Sequence, residues 1–272
     1  MLKRKNIISI LIVLLCTILI IIDLSTKNKD KSLKKTIKEK YPFYKEEYKN
    51  RYIKYQKENP TLSKEQIIID VNIGLDYNYY ENTKPANNLN KEFILVNKYN
   101  YLTKDYIPQN LENISTEYSK EGMKLVNYAK EAFEELAKKA KEEGLTIIAM
   151  SSYRSYRYQL ILYNKYKEMD GKELADTYSA RPGHSEHQTG LSVDVYNGKE
   201  TYTNFEKTKE FIWMQKNAYK YGFILRFPKD KTKETGYNYE SWHYRYVGKN
   251  IATYIHKNNI SFEEYYIKKV EN

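Results

Sequence analysis

Cysteine is nearly absent: Cys16 is the single one in 272 residues. An intramolecular disulfide framework is therefore excluded, and so is a zinc site built on several thiolates. Histidine is scarce as well, with only His184, His187, His243 and His256. A metal, if one is bound, has to be held by these imidazoles and by carboxylates. Tryptophan occurs twice and phenylalanine eight times, beside 30 tyrosines. Tyrosine fills a core and still hydrogen-bonds at its edge, so this bias by itself does not signify binding. No internal repeat and none of the standard nucleic-acid-binding motifs is present, so nucleic acid is not an expected partner.

What is present is enough apolar material for a packed core. Hydrophobic residues make up 41% and charged residues 30%, with 46 Lys+Arg against 35 Asp+Glu. At roughly 150 residues per domain, the length suggests one sizeable domain plus an extension, or two small domains. Residues 7–22 are apolar except for Ser9 and Thr17, and Lys3, Arg4 and Lys5 precede them. No small-residue cleavage pattern follows, so residues 1–25 read as an uncleaved transmembrane signal anchor rather than a removed signal. The basic triplet keeps the N-terminus cytoplasmic and places the rest outside the cell membrane, on the wall side. Residues 26–50 carry nine Lys against four acidic residues. Residues 26–90 are expected to form a Lys-rich helical stalk, broken at Pro42 and Pro60, with a boundary in the polar stretch 80–91.

From residue 91 to 272 the texture is that of a folded domain. Residues 93–96 read as a short buried strand or extended run. Met123, Val126, Ala129, Phe133, Leu136, Ala137 and Ala140 mark one face of a helix over 118–143, closed by Gly144. A strand over 145–150, helices over 155–168 and 204–221, a strand over 223–226 and C-terminal helices over 249–258 and 262–269 complete the reading. Helices and short strands mix without βαβ alternation, so the fold class is α+β, with a small antiparallel sheet flanked by helices.

Two segments concentrate the chemistry. One runs from Ser179 through His184, Ser185, His187 and Gly190 to Asp194; the other is Glu240-Ser241-Trp242-His243, followed by Tyr244-Arg245-Tyr246. A hydrolytic zinc needs three protein ligands, an open position for water, and a carboxylate that takes a proton without binding the metal. His187, Asp194 and His243 can supply the ligands and Glu240 the base. A Glu-x-x-His pair also arises by chance, and His187 could equally be a satisfied loop histidine, so the residues alone leave both readings open. His184 is a rival ligand in a loop, and His256 reads as structural or solvated. Arg154, where a strand gives way to a helix, can offer a planar fork of donors to a carboxylate or an oxyanion, or serve as a structural ion pair. Arg157 reads as a surface residue.

Ser185-x-His187-x-x-Gly190-x-x-x-Asp194 followed by Glu240-x-x-His243 resembles the signature of the VanY-like D-alanyl-D-alanine carboxypeptidases. These are zinc peptidases of the bacterial cell wall, grouped with the hedgehog and lysostaphin-type fold. Tyr153-Arg154-Ser155-x-x-x-Gln159 matches a further family run, and the resemblance covers about residues 92–267. It implies His187, Asp194 and His243 as ligands to one zinc and Glu240 as catalytic base. It also implies Arg154 near the scissile carbonyl, and a substrate pocket lined by Ser185 and Gln159, with Tyr153 and Ser155 beside them. Ser192 departs from the family, where Ala is common. The expected reaction is removal of the C-terminal D-alanine from peptidoglycan stem peptides. The alternatives are L,D-carboxypeptidase action on tetrapeptide stems and a catalytically silent wall-binding module. A non-haem iron oxygenase would use the same ligand types but has no role for Glu240.

Overall fold

A computed structural model of the protein describes residues 37–271. The expected anchor, residues 1–25, and the first part of the stalk lie outside the described residues. Among the described residues no helix is long and apolar enough to cross a membrane. The chain divides into two compact units between Ile68 and Ile69.

In the described part of the first unit, helix α1 (Lys49–Glu58) buries Tyr52 and Tyr55. Helix α2 (Lys64–Ile73) carries the chain into the second unit. The chain turns at Pro42 and Phe43, since proline cannot continue a helix.

The division at residue 68 lies well before the boundary expected at 90, for a physical reason. Strand β1 (Lys84–Pro85) pairs in parallel with β2 (Asn100–Tyr101), and Lys233 bonds to Asp70 at 3.2 Å. Residues 69–90 are thereby part of the second unit rather than a free stalk.

The second unit is organised by strands β5 (Ile148–Ser151), β6 (Ser192–Tyr196), β7 (Phe223–Leu225) and β8 (His243–Tyr246). They form one antiparallel sheet in the order β5-β6-β8-β7. Alternation gives this sheet two chemically different faces. Ala149, Val193, Val195, Phe223 and Tyr244 turn to one side. There they join the main core with Phe133 and Leu136 of helix α3 (Asn127–Glu142), and Phe133 meets Phe223 edge-on. Ser192, Asp194, His243 and Arg245 turn to the other side, and all are buried. Ile224, Val247 and Phe262 build a second apolar cluster with helices α8 (Lys249–Asn258) and α9 (Phe262–Lys269). A polar row is thus enclosed between two apolar clusters.

Helix α3 starts at Asn127, not near 118. Lys124–Val126 forms strand β4 against β3 (Leu111–Asn113), so Met123 and Val126, which fit the helical spacing, lie outside the helix. Residues 93–96, read as a short buried strand or extended run, join no ladder among the described residues, and Ile94, Leu95 and Val96 are buried. Arg245 Nη2 reaches the carbonyls of Glu92 and Ile94, a guanidinium taking the place of a strand. The helix expected over 204–221 breaks at Thr208, whose hydroxyl caps helix α6 (Lys209–Asn217). The two C-terminal helices run over the expected residues.

Candidate metal centre

Directly opposed residues on neighbouring antiparallel strands project from the same face. Asp194 and His243 are such a pair, and Ser151 opposes Asp194 on the other side. Asp194 Oδ1 lies 2.9 Å from His243 Nδ1. His187 arrives from a short helical turn, Glu186–Thr189, that leads into β6. Gly190 ends that turn at φ +69, where a Cβ would lie 2.9 Å from Leu111 Cδ2, so both the backbone conformation and the crowding favour glycine at the corner. His187 Nε2 is 3.3 Å from Asp194 Oδ2, and its Nδ1 is 2.7 Å from the Ser152 carbonyl.

Ligand atoms of His187, Asp194 and His243 all lie within 4.8 Å of one another, and all three side chains are buried. His187 Nε2 is buried with no hydrogen-bond partner among the described residues. An orphaned imidazole nitrogen facing a carboxylate and a second imidazole fits a cation, and two His with one Asp is a zinc ligand set.

Glu240 precedes β8 by one turn, with Oε2 3.9 Å from His243 Nδ1. Burial pushes its carboxyl up to about 8, with Asp194 adding to the shift and His243 and Arg154 opposing it. Burial also lowers His187, aided by Arg154, to about 4. His243 goes the other way: burial would lower it, but its bonds to Asp194 and Glu186 raise it to about 9. Asp194 is held well below the carboxylate range, because His187 and His243 outweigh its own burial.

A cavity of about 570 Å³ opens over this cluster. Arg154, Gln159, Ser185 and Glu240 line it together with the three candidate ligands. Arg154 stands beside the candidate metal site, Nη2 3.9 Å from Asp194 Oδ2, and its Nε is buried without a hydrogen-bond partner among the described residues. Gln159 donates to the Ala180 carbonyl at 2.7 Å, and its Oε1 is buried and unpaired among the described residues. Tyr153 and Ser155, expected in the pocket, do not line it. Ser155 instead caps helix α4 (Tyr156–Asp170) by accepting from the Tyr158 amide. Tyr153 is held by its backbone, which donates to the Lys124 carbonyl. Arg157 is exposed, as expected.

His184 also lines the cavity but is not in the metal cluster. Its Nδ1 lies 2.8 Å from the Asn97 carbonyl and its ring packs edge-on to Tyr80. His256 stacks on Tyr219. Sequence reasoning missed the aromatic wall, where Tyr202 meets Trp242 and Tyr166 meets Tyr178 edge-on. It also assigned no role to Glu186, Arg226 and Arg245, three charged side chains buried beneath the cluster. The signal was there in part: Arg245 alternates with Tyr244 and Tyr246 on the side of His243, and a buried arginine requires a buried carboxylate.

Comparison with known proteins places this site in a family. Residues 122–249 match the family model VanY, D-alanyl-D-alanine carboxypeptidase. The chain is 39% identical over 212 residues to the putative carboxypeptidase YodJ of Bacillus subtilis, covering 72% of this chain and 78% of the relative. Among solved structures, the LdcB LD-carboxypeptidase is 38% identical with a TM-score of 0.65, over 69% of this chain and 91% of its own. A mutant of the vancomycin-resistance D,D-pentapeptidase VanY from a VanB-type cassette, in complex with Zn(II), is 34% identical with a TM-score of 0.55, over 64% of this chain and 98% of its own. The chain belongs to the VanY family of D-alanyl-D-alanine carboxypeptidases, and zinc is its cofactor.

Proposed function

We propose that the protein hydrolyses the C-terminal D-alanine of peptidoglycan stem peptides, with zinc held by His187, Asp194 and His243 and with Glu240 as the base. The supporting observation is the convergence of three buried ligand atoms within 4.8 Å and a second carboxylate, Glu240, beside them, at the floor of a cavity large enough for a peptide end. Bound zinc supplies Lewis acidity and brings the pKa of a water toward ~7. Glu240 takes the proton of the attacking water and returns it to the leaving amine. A cation next to Glu240 favours its ionised form, pulling a carboxyl that burial has raised back toward the range of a base working near neutrality. Arg154 donates to the carbonyl oxygen as charge develops, which gives its unpaired Nε a partner. Gln159 Oε1 accepts from a substrate N–H, and Ser185 lines the same wall.

The bond cut is the finer question. The likeness to the LdcB LD-carboxypeptidase, TM-score 0.65 against 0.55 for the VanY D,D-pentapeptidase, favours L,D action on tetrapeptides as a second reading. Digesting purified pentapeptide and tetrapeptide muropeptides with the zinc-loaded protein, then weighing the products, separates the two. Loss of one alanine from the pentapeptide supports D,D action; loss only from the tetrapeptide supports L,D action; loss from neither refutes both. The apolar span at 7–22 behind Lys3-Arg4-Lys5 supports an anchor that holds this domain on the wall side of the membrane.

A further inference from the structure

Beneath the metal cluster lies a closed ionic quartet. Glu186 Oε1 receives Arg226 Nε at 2.8 Å and Arg245 Nη1 at 2.9 Å. Arg226 turns its remaining edge to both oxygens of Glu263 on α9. All four side chains are buried, at 4% exposure or less. Two guanidinia balance two carboxylates, which is the condition for carrying such charges out of water. With two guanidinia donating to Oε1, Glu186 meets its neighbours as an acceptor. Its second oxygen, Oε2, is left facing His243 Nε2 at 3.4 Å, with Ser192 Oγ at 3.3 Å.

The two candidate histidine ligands are thus presented in opposite senses. His187 engages its Nδ1 with a backbone carbonyl and faces the cluster with Nε2. His243 engages its Nε2 with Glu186 and faces the cluster with Nδ1. We propose that Glu186 is a positioning residue of the metal centre: it fixes the His243 tautomer that carries hydrogen on Nε2, so that Nδ1 is the atom offered to zinc. This rests on the ligand assignment above and adds to it which nitrogen binds and what sets that choice. The tie of Oε1 to two arginines has a second consequence. Glu186 cannot swing toward the metal, although it adjoins His187 in sequence. One turn then supplies a ligand from one residue and the orientation of a different ligand from its neighbour. Partners of this kind behind a metal-bound histidine are typically worth about 10–100-fold in metal affinity.

The experiment labels the full chain with ¹⁵N-histidine, which gives only four rings to resolve, and records long-range ¹H–¹⁵N spectra with and without zinc. The expected zinc form has His243 protonated at Nε2 and metal-bound at Nδ1, and His187 the reverse. His243 bound through Nε2 overturns the proposal while leaving the ligand set standing; a His243 ring unmoved by zinc overturns both. Glu186→Gln adds a second test. Its amide oxygen is drawn to the arginines, so its NH₂ faces Nε2 and favours hydrogen on Nδ1, the wrong tautomer. Zinc affinity, read by competition with a chromophoric chelator, is expected to fall about 10–100-fold. Glu263→Gln disturbs the same quartet without touching His243, and it should lower the melting temperature while keeping zinc affinity near that of the unaltered chain. Equal zinc loss in both variants, or none in Glu186→Gln, overturns the proposal. If Glu186→Gln does not fold, the spectra of the unaltered chain decide.

Discussion

Asp194 and His243 stand opposite one another on β6 and β8, and their facing atoms, Oδ1 and Nδ1, are 2.9 Å apart. With His187 beside them, the backbone register itself assembles the candidate zinc ligands. The protein should bind one zinc per chain. His187→Ala and His243→Ala should each lose it, whereas His184→Ala should keep it, since His184 bonds to the Asn97 carbonyl outside the cluster. Elemental analysis of the purified variants checks this; full zinc in His187→Ala would reject the ligand assignment.

Glu240 lies close to His243 but outside the three-ligand cluster. Glu240→Gln is expected to keep zinc and fold and to lower kcat by about 10²–10⁴-fold, the usual worth of a general base, with substrate binding largely retained. Steady-state kinetics of alanine release, paired with a zinc assay, measures both. Loss of zinc would make Glu240 a ligand, and near-normal turnover would remove it as the base.

Arg154 presents a planar guanidinium to the cavity, with Nε unpaired. Arg154→Lys keeps the charge but loses the fork. Its kcat/KM should fall by about 10²–10³-fold, the cost of one oxyanion donor, with zinc content unchanged. Unaltered kcat/KM would show that Arg154 serves only to hold Asp194.

Lys98 gives the clearest pH signature away from the metal. Its Nζ lies over the rings of Tyr79, Tyr80 and Tyr237 and donates to the Asp176 carbonyl at 2.6 Å. Burial lowers its pKa from 10.5 to about 8, although Asp176 opposes the shift. Between those two values the unfolded chain holds a proton that the folded chain has lost, so raising pH through this window favours folding. Compared with Lys98→Met, the wild-type protein should gain stability from about pH 8 to 10.5 and show no such trend below 8. Parallel denaturant titrations across that range measure the difference; a flat difference refutes the shift.

The topology proposal has its own test. Protease added to intact protoplasts should remove the domain and leave a membrane-protected N-terminal fragment. A mature N-terminus near Ser25 by mass spectrometry would mean a removed signal instead.

The side chains able to do the chemistry, and the helices around them, were legible in the sequence. Ser185, His187, Gly190 and Asp194 sit within one local run and Glu240 and His243 within one turn, so short-range spacing carries them. The C-terminal helices likewise announce themselves by apolar spacing. Tertiary structure decided the rest. Met123 and Val126 continue the helical spacing, yet residues 124–126 pair with β3, and only that tertiary partner settles which element forms there. Ser155 belongs to a motif run yet caps a helix, because its hydroxyl finds an amide nearer than the cavity. Above all, Asp194 and His243 are 49 residues apart in the chain. Their meeting, and the quartet of Glu186, Arg226, Arg245 and Glu263 beneath them, comes from strand register and from a helix at the far C-terminus. A charge leaves water only where its counter-charge is already held, and the chain order does not show where that is.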